Sequence, residues 1–324
     1  MKLQILVPQH DETEKIIKPL LDSIALQQNI DFNEVGVIIV NDGSKTKLSR
    51  GFLDSYNFKI EYYQEPHRGV SATRNACLDR AAADYVMFCD ADDMFFNMCG
   101  LWIIFREIDQ GVFDSLVSVF TEETINPATK EHIYINREMD STFVHGKVHR
   151  RKYLEEKNIR WNPDLTIHED SFFNIQCVSL SQNVKYCNSP FYLWKWRDDS
   201  VCRHDPKYIL RTYRNMLDSN DMLIQELRKK KAPDKADFYT VFMIYDAYYT
   251  MNKPEWINQE NQEYRELTEK RFSEYYKKYK KNWEAFPSQE KMQISQGVRG
   301  RCVGEGMMME NMTINEWLKE VESL

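Results

Sequence analysis

Three carboxylates lie within four residues in Asp90-Ala91-Asp92-Asp93, directly after the apolar run Tyr85-Val86-Met87-Phe88-Cys89. At that spacing the carboxylates repel one another unless a positive partner joins them. Mg²⁺ and Mn²⁺ are suitable partners, because these hard ions take carboxylate oxygens together with substrate phosphate oxygens. The alternative is a solvated acidic turn or the start of a helix, which is the commoner explanation for an isolated acidic triplet.

Two further polar clusters follow apolar runs nearer the N-terminus. Pro8-Gln9-His10-Asp11-Glu12 follows the run from Leu3 to Val7, and Asn41-Asp42-Gly43-Ser44 follows the run from Val35 to Val40. All four residue types of the second cluster favour turns, so alone it predicts only a polar turn. If the apolar runs are parallel strands, however, their carboxyl ends meet in the crevice where doubly wound proteins bind ligands.

The first 120 residues alternate short β-rich runs with helical patterns, as in the βαβ units of a parallel sheet. Strands are predicted at 3–7, 35–40, 59–63, 85–89 and 115–120. A helix follows the first strand, with Asp11 and Glu14 as its capping box, and another is predicted from about Ser71 to Ala83. The wholly apolar run from Val37 to Val40 is expected to be covered by helices on both faces.

The rest of the chain changes character twice. A mixed region comes first, with a strand at 133–135, a helix at 147–157, a helix after His168-Glu169-Asp170 and a strand at 191–196. After about Asp205 the periodicity predicts helices at 209–230, 236–251 and 260–280. We therefore expect an α/β domain over residues 1–204 with a C-terminal helical appendage over residues 205–324.

The composition is that of a globular protein, since 324 residues with 42% hydrophobic content can supply a substantial core. The seven cysteines are odd in number and form no CxxC pair, so we expect reduced thiols and a cytoplasmic location. No apolar run approaches the roughly 20 residues of a membrane helix, and the N-terminal run is too short for a signal peptide. A net charge of -7 argues against wrapping nucleic acid with the whole surface.

Five motifs, taken in order, resemble those of family 2 glycosyltransferases with the GT-A fold, over roughly residues 3 to 200. They are Val7-Pro8, Asn41-Asp42-Gly43-Ser44, Gly69-Val70-Ser71-Ala72-Thr73-Arg74-Asn75, Asp90-Ala91-Asp92-Asp93 and His168-Glu169-Asp170. Each motif is weak alone, whereas their order and spacing together are specific. The resemblance implies a Rossmann-like, mostly parallel sheet and transfer of a sugar from a nucleotide-diphosphate donor to an acceptor hydroxyl.

The resemblance also implies roles for single residues. Asp42 would accept a hydrogen bond from the imide N–H of the base, which favours a UDP-sugar, and Asp92 would bind Mn²⁺ or Mg²⁺. Asp170 would be the base that deprotonates the acceptor in an inverting reaction, although Glu169 and Asp170 also suit the dipole of a helix N-terminus. Further donor contacts are implied for Pro8, Glu12, Arg74, Asp90, Ala91 and Arg197, and a phosphate or metal contact for His204.

Some positions depart from the family pattern or remain ambiguous. Asn41 stands where an acid is common, and Gln9-His10 stands where Tyr-Asn is common, so the base preference is less strongly specified. Lys147 is predicted either to contact phosphate or acceptor or to lie on a solvated basic helix start. His145 occupies a place where relatives often carry Trp.

Other function classes fit parts of the same sequence pattern. A sugar-nucleotide nucleotidyltransferase shares the fold, but usually has a Gly-rich loop where this chain has Pro8-Gln9-His10-Asp11-Glu12. A degenerate domain that serves as a binding scaffold is disfavoured by the retained motif residues. The Tyr- and Lys-rich run at 275–281 is compatible with a nucleic-acid or membrane surface, but more often marks an amphipathic helix. For the appendage we favour homo-oligomerisation or recognition of a carbohydrate, polymer or protein acceptor.

Overall fold

The structure is a computed structural model that describes residues 1–139, 141–198, 208–253, 256, 262–304 and 312–324. The chain divides into two compact units, Met1–Ser200 and Val201–Leu324. The boundary predicted between residues 204 and 205 lies outside the described residues, and so does His204. The predicted fold class, a mostly parallel α/β sheet followed by helices, is confirmed.

The first unit contains both strands and helices. Its strands are β1 (Leu3–Gln9), β2 (Val35–Asp42), β3 (Lys59–Glu65), β4 (Tyr85–Phe88), β5 (Met94–Phe95), β6 (Ser115–Ser118), β7 (Phe120–Ile125), β8 (His132–Arg137), β9 (Lys147–Arg150), β10 (Val184–Cys187) and β11 (Tyr192–Trp194). Its helices are α1 (Glu14–Ala25), α2 (Arg50–Leu53), α3 (Val70–Arg80), α4 (Gly100–Asp109), α5 (Arg151–Glu156) and α6 (Glu169–Ser179), with a 3₁₀ turn at Phe32–Glu34.

The strands form two sheets. A seven-stranded sheet has the order β10-β6-β9-β4-β1-β2-β3, and a four-stranded sheet has the order β5-β11-β7-β8. In the larger sheet β3, β2, β1 and β4 are parallel, whereas β9 runs antiparallel between β4 and β6. The segments that follow β1, β2 and β4 therefore meet at one carboxyl edge, as the sequence predicts.

Alternation along β1 explains why this sheet is covered on both faces. Leu3, Ile5 and Val7 belong to the core cluster that includes the buried side of α1, while Leu6 belongs to a second cluster that includes Trp161. Successive side chains of a strand point to opposite faces, so the apolar run supplies both cores. The loops that follow the strands are thus attached to a sheet that is packed on both faces.

Three local predictions are wrong. Residues 147–150 form β9, so the helix expected at 147–157 begins only at Arg151, because pairing with β4 and β6 overrides the local helical pattern. The capping box is absent, since Asp11 has a φ of 65° and the Glu14 carboxylate accepts from the Ser49 N–H at 2.8 Å instead. The single strand expected at 115–120 divides at Val119 into β6 and β7, which belong to different sheets.

The second unit is helical in the part of it that the structure describes. Its helices are α7 (Tyr208–Lys229), α8 (Pro233–Met251), α9 (Gln262–Ala285), α10 (Ser288–Gly304) and α11 (Ile314–Ser323). In α9 the aromatic residues Tyr275 and Tyr279 are buried while Lys277 and Lys278 are exposed, which is the amphipathic arrangement. Within the described ranges we find no helix with the length and apolar character needed to cross a bilayer. Oligomerisation through this unit stays a prediction.

The central strand β9 carries a buried histidine that makes stability depend on pH. His149 is 1% exposed, with Nδ1 3.0 Å from the Ser115 hydroxyl oxygen. Burial, and then the positive charge of Lys147, lowers the pKa of His149 to about 3. Between the ordinary value of about 6.5 and this lower value the unfolded chain binds a proton that the folded chain does not. The free energy of unfolding therefore falls as the pH falls through that window.

We expect His149 to account for a loss of about 1 kcal/mol between pH 7.5 and pH 5.5. Urea unfolding of the wild type and of His149→Gln at both pH values measures this share, with the pH 7.5 pair as the baseline for the substitution itself. The variant should lose less stability than the wild type on acidification. Equal losses in the two proteins would contradict the assignment.

Candidate functional site

Asp42 ends β2 and fixes the loop that leads into α3. Its carboxylate is 3% exposed, and it accepts from the Arg68 N–H at 2.7 Å and from the Gly69 N–H at 2.9 Å. Nδ1 of His67 lies 2.9 Å from the same carboxylate. Gly69 has a φ of 86° and is the N-cap of α3, so glycine suits this position. The structure thus shows a buried anchor at Asp42, and its contact with a base stays a prediction.

Two histidines stack beside Asp42. The ring centroids of His10 and His67 are 4.5 Å apart, and their Nδ1 atoms lie 2.8 and 3.2 Å from the Asp42 carbonyl oxygen. Gly43 makes the approach possible, because it has a φ of 71° and an added Cβ would lie 2.6 Å from the His67 nitrogen. His67 belongs to none of the motifs and was not predicted from the sequence as a site residue.

The two departures from the family pattern contact each other. Gln9 and Asn41 are paired in the register of β1 and β2, and the Asn41 amide donates to Oε1 of Gln9 at 2.9 Å. Both side chains are buried, and Asn41 also donates to the Tyr62 hydroxyl oxygen at 2.9 Å. Pro8 precedes this pair in β1 and is half-buried. The two amides therefore form one hydrogen-bonded pair behind the open face of the site.

Arg74 of α3 joins three carboxylates from other elements, and we call these four residues the Arg74 cluster. Its guanidinium lies 2.9 Å from Asp90, 3.0 Å from Glu169 and 2.7 Å from Asp170. It also lies over the Trp161 ring, 4.4 Å from the centroid. Burial opposes the charge, but the three carboxylates raise the pKa of Arg74. What the structure shows is a buried cation that holds the site together, and direct contact with a donor stays a prediction.

Asp170 is the second residue of α6, and its side chain is 23% exposed. One carboxylate oxygen meets Arg74, and the other accepts from the Val144 N–H at 3.2 Å. Burial raises the pKa of Asp170 to about 7; Arg74 acts against this, and repulsion from Glu169 adds to it. A carboxylate with a pKa near neutrality is suited to accept a proton at neutral pH.

Asp93 and Ala91 have structural contacts within the acidic loop. Asp93 is 1% exposed, and its carboxylate accepts from the Tyr192 hydroxyl at 2.5 Å and from the Lys195 N–H at 2.9 Å. Ala91 is 3% exposed and belongs to the core. Asp93 therefore ties the loop to β11 and the segment after it, and a donor contact at Ala91 stays a prediction.

Asp92 is partly exposed, unlike its buried neighbours Ala91 and Asp93, and its carboxylate contacts Arg197. The Arg197 guanidinium lies 2.9 Å from Asp92 and 3.9 Å from Glu12. Burial, and then the charge of Asp90, raises the pKa of Asp92, while burial raises the pKa of Glu12. Partly exposed carboxylates with raised pKa values are short of positive charge, and their oxygens are the ligands that Mg²⁺ and Mn²⁺ prefer. The carboxylate oxygens of Asp92 and Glu12 are therefore chemically suited to a hard divalent cation.

Among the described residues, two groups of side chains bring three possible ligand atoms within 4.8 Å of one another. They are His10 with Asp42 and His67, and Asp90 with Asp93 and His145. Imidazole ligands suit softer ions than Mg²⁺. The carboxylates of Asp42 and Asp93 are buried and each accepts two hydrogen bonds, and Asp90 is paired with the buried Arg74, whereas Asp92 is partly exposed and its partner Arg197 is partly exposed as well. Asp92 therefore remains the better candidate for a hard cation.

Comparison with known proteins gives a consistent family. The family model described as "Glycosyl transferase family 2" matches residues 4–180. "Glycosyltransferase GlyA" of Streptococcus pneumoniae serotype 4 is 25% identical over 228 residues, which are 62% of this chain and 32% of that protein. The chain thus spans about a third of the length of this relative.

Two solved structures share the fold. The crystal structure of S. aureus TarS 1-349 in complex with UDP-GlcNAc has a TM-score of 0.67 at 16% identity, covering 96% of this chain and 93% of that chain. The mannosyltransferase PcManGT from Pyrobaculum calidifontis, in complex with GDP-Man and Mn²⁺, has a TM-score of 0.52 at 12% identity, covering 99% of this chain and 84% of that chain.

Removal of the Arg74 charge should destabilise the first unit strongly. Arg74→Met leaves three carboxylates together in a mostly buried place, and loss of one partner from such a group costs about 3–5 kcal/mol. The penalty should shrink as the pH falls, because protonation removes the repulsion among the carboxylates. Urea unfolding at pH 7.5 and pH 5.5 measures both effects.

Arg160→Met is the matched control for this experiment. Arg160 pairs with Asp79 at the surface, where its side chain is 36% exposed, and surface pairs contribute about 0–1 kcal/mol. Similar losses of stability in the Arg74 and Arg160 variants would show that the Arg74 cluster is not the main constraint that we infer.

Proposed function

The chain belongs to glycosyl transferase family 2, and from this premise we propose that it transfers a sugar from a nucleotide-diphosphate donor to an acceptor hydroxyl. The observation that carries the proposal is the alignment of Asp42, the Arg74 cluster and Asp92 along one carboxyl edge of the sheet. Asp42 is an anchor at the end of β2, Asp92 is a partly exposed carboxylate in the loop after β4, and Asp170, a carboxylate able to accept a proton, is joined to that loop through Arg74 and Asp90.

A UDP-sugar is the donor that we favour. The Asp42 carboxylate lies at the end of β2. The resemblance places the imide N–H of a uracil ring beside this carboxylate. The exposed imidazoles of His10 and His67 form a flat surface beside it. The TarS complex with UDP-GlcNAc supports this choice and makes UDP-GlcNAc the first donor to test. The acceptor is a hydroxyl of a carbohydrate, a polymer or a protein.

In the proposed reaction Asp170 takes the proton of the acceptor hydroxyl. The acceptor oxygen forms a bond to the anomeric carbon, and the bond from that carbon to the diphosphate oxygen breaks. Because a single displacement occurs on the face opposite the leaving group, the anomeric configuration inverts. The raised pKa of Asp170, about 7, gives the carboxylate enough basicity for this step.

We propose that Mn²⁺ or Mg²⁺ is the cofactor and that Asp92 holds it, with Glu12 close by. When bound, the ion would act as a Lewis acid toward the departing diphosphate. Arg197 contacts Asp92 directly, so its guanidinium is placed to interact with phosphate oxygens at the same point. The PcManGT complex with Mn²⁺ supports a metal in this fold. His204 stays a predicted contact.

Replacement of the proposed base should slow turnover without weakening donor binding. We expect Asp170→Asn to reduce UDP release from UDP-GlcNAc by about 10²- to 10⁴-fold, the usual contribution of a positioned base. Calorimetry with UDP should show unchanged affinity. Asp164→Asn, at an exposed position in the loop before α6, serves as control and should keep the wild-type rate. An undiminished rate in Asp170→Asn would remove Asp170 from the mechanism.

The metal assignment predicts a specific loss at Asp92. In the wild type Mn²⁺ should tighten UDP binding, and in Asp92→Ala this tightening should disappear because the direct ligand is gone. Calorimetric titrations of UDP with and without Mn²⁺ measure the difference, and electron paramagnetic resonance counts the bound ion. Asp54→Ala, an exposed carboxylate at the end of α2, is the control. The same metal dependence in Asp92→Ala and the wild type would place the ion elsewhere.

A further inference from the structure

Lys147 lies inside the first unit, at the start of β9. Its side chain is among the most buried, with 2% exposure. The amine donates to the carbonyl oxygens of Phe143 and His145, the latter at 3.5 Å. The prediction of a solvated helix start is therefore wrong, because Lys147 begins β9 and is buried, whereas its contact with phosphate or acceptor stays a prediction.

The backbone that Lys147 contacts is held at two further points. The Asn174 amide donates to the carbonyl oxygens of Thr142 at 3.2 Å and Phe143 at 3.1 Å. The carbonyl oxygen of Gly146 accepts from the Ser118 hydroxyl at 3.0 Å. The segment from 142 to 146 is thus fixed by side chains of β9 and α6 and by β6.

This segment supplies a hydrogen bond to Asp170. The Val144 N–H donates to the Asp170 carboxylate at 3.2 Å. The peptide group between Phe143 and Val144 is planar and trans, so its C=O and its N–H point in opposite directions. Lys147 and Asn174 hold the C=O end of this one peptide group, and Asp170 receives the N–H end. The direction of the N–H is therefore set by the donors on the other side.

We propose that Lys147 is a positioning residue for Asp170, which it orients through the Phe143–Val144 peptide group. This inference rests on the proposed function, in which Asp170 is the base. Asp170 has one oxygen on Arg74 and the other on Val144, so these two contacts together fix the plane of the carboxylate. Loss of either contact lets the carboxylate rotate away from the acceptor.

The burial of an amine at this place supports a specific role. A buried charge or amine costs several kcal/mol unless its donors are satisfied, and an apolar side chain of similar size would fill the same space at lower cost. Lys147 meets two carbonyl groups on alternate residues of one segment. The amine thus contributes directional hydrogen bonds that an apolar residue cannot supply.

The first test needs neither substrate nor turnover. In ¹⁵N-valine-labelled protein, Asp170→Asn should shift the amide signal of Val144, which establishes the contact. Lys147→Met should shift the same signal and speed exchange of that amide with solvent by about tenfold or more. Lys185→Met is the matched control, since Lys185 also donates to a carbonyl oxygen, that of Glu107 at 2.7 Å, in another part of the sheet. An unchanged Val144 amide in Lys147→Met would overturn the proposal.

The second test is a double-mutant cycle on UDP release from UDP-GlcNAc with Mn²⁺. Lys147→Met should lower turnover by about ten- to a hundredfold, the usual effect of a misplaced catalytic group, without changing the affinity for UDP. In the Asp170→Asn background it should lower turnover less than about twofold, because Lys147 acts through Asp170. Equal losses in both backgrounds would show a general structural effect and overturn the proposal.

A second variant covers the case in which Lys147→Met does not fold. Asn174→Leu removes the other donors to the same carbonyl group and should give the same Val144 shift and the same non-additivity with Asp170→Asn. A wild-type Val144 signal in this variant would also count against the proposal. If Asp170→Asn keeps full turnover while the Val144 amide responds as expected, the proposed base has failed and the structural coupling stands.

Discussion

The first unit depends on a charge balance at the buried guanidinium of Arg74. The acidic loop after β4 and the first turn of α6 each bring carboxylates to one point, and a cation that cannot lose its proton offsets their charge there. Trp161 covers the guanidinium and links this polar centre to the apolar core below. The same ion pairs therefore stabilise both the site and the fold, so a substitution that weakens them should affect both.

Charge is distributed unevenly along the carboxyl edge of the sheet. At Asp42 two backbone N–H groups donate to the carboxylate, so its negative charge is stabilised and its position is fixed by the protein alone. At Asp92 burial raises the pKa values of Asp92 and of the nearby Glu12, and both carboxylates lie beside Arg197, so that end gains most from an added positive charge. A donor with a neutral ring at one end and a diphosphate bound to a cation at the other matches this gradient.

The sequence predicted the strand ends and their polar residues well, because apolar runs and turn residues are local signals that also set the parallel sheet. It could not predict β9, since that strand depends on partners from distant parts of the chain. Residue types alone could not separate Asp92 from Asp93, and only the family resemblance singled out Asp92, because adjacent residues differ in direction: Asp93 points inward to Tyr192 and Asp92 outward to Arg197. The burial of Lys147 was also not predicted, because it depends on tertiary contacts and not on the local sequence.

The amide pair between Gln9 and Asn41 bears on how this site diverges among relatives. Both side chains are buried, and Asn41 donates to Oε1 of Gln9 while the Gln9 amide donates to the Glu12 carbonyl oxygen, so a carboxylate at position 41 would face Oε1 of Gln9 and lose a donor. An acid at position 41 is thus better matched by a donor such as a tyrosine or another hydroxyl-bearing residue at position 9. A change to an acid at position 41 is therefore tolerated best together with a change at position 9, so a redesign of these two strand ends has to treat them as one unit.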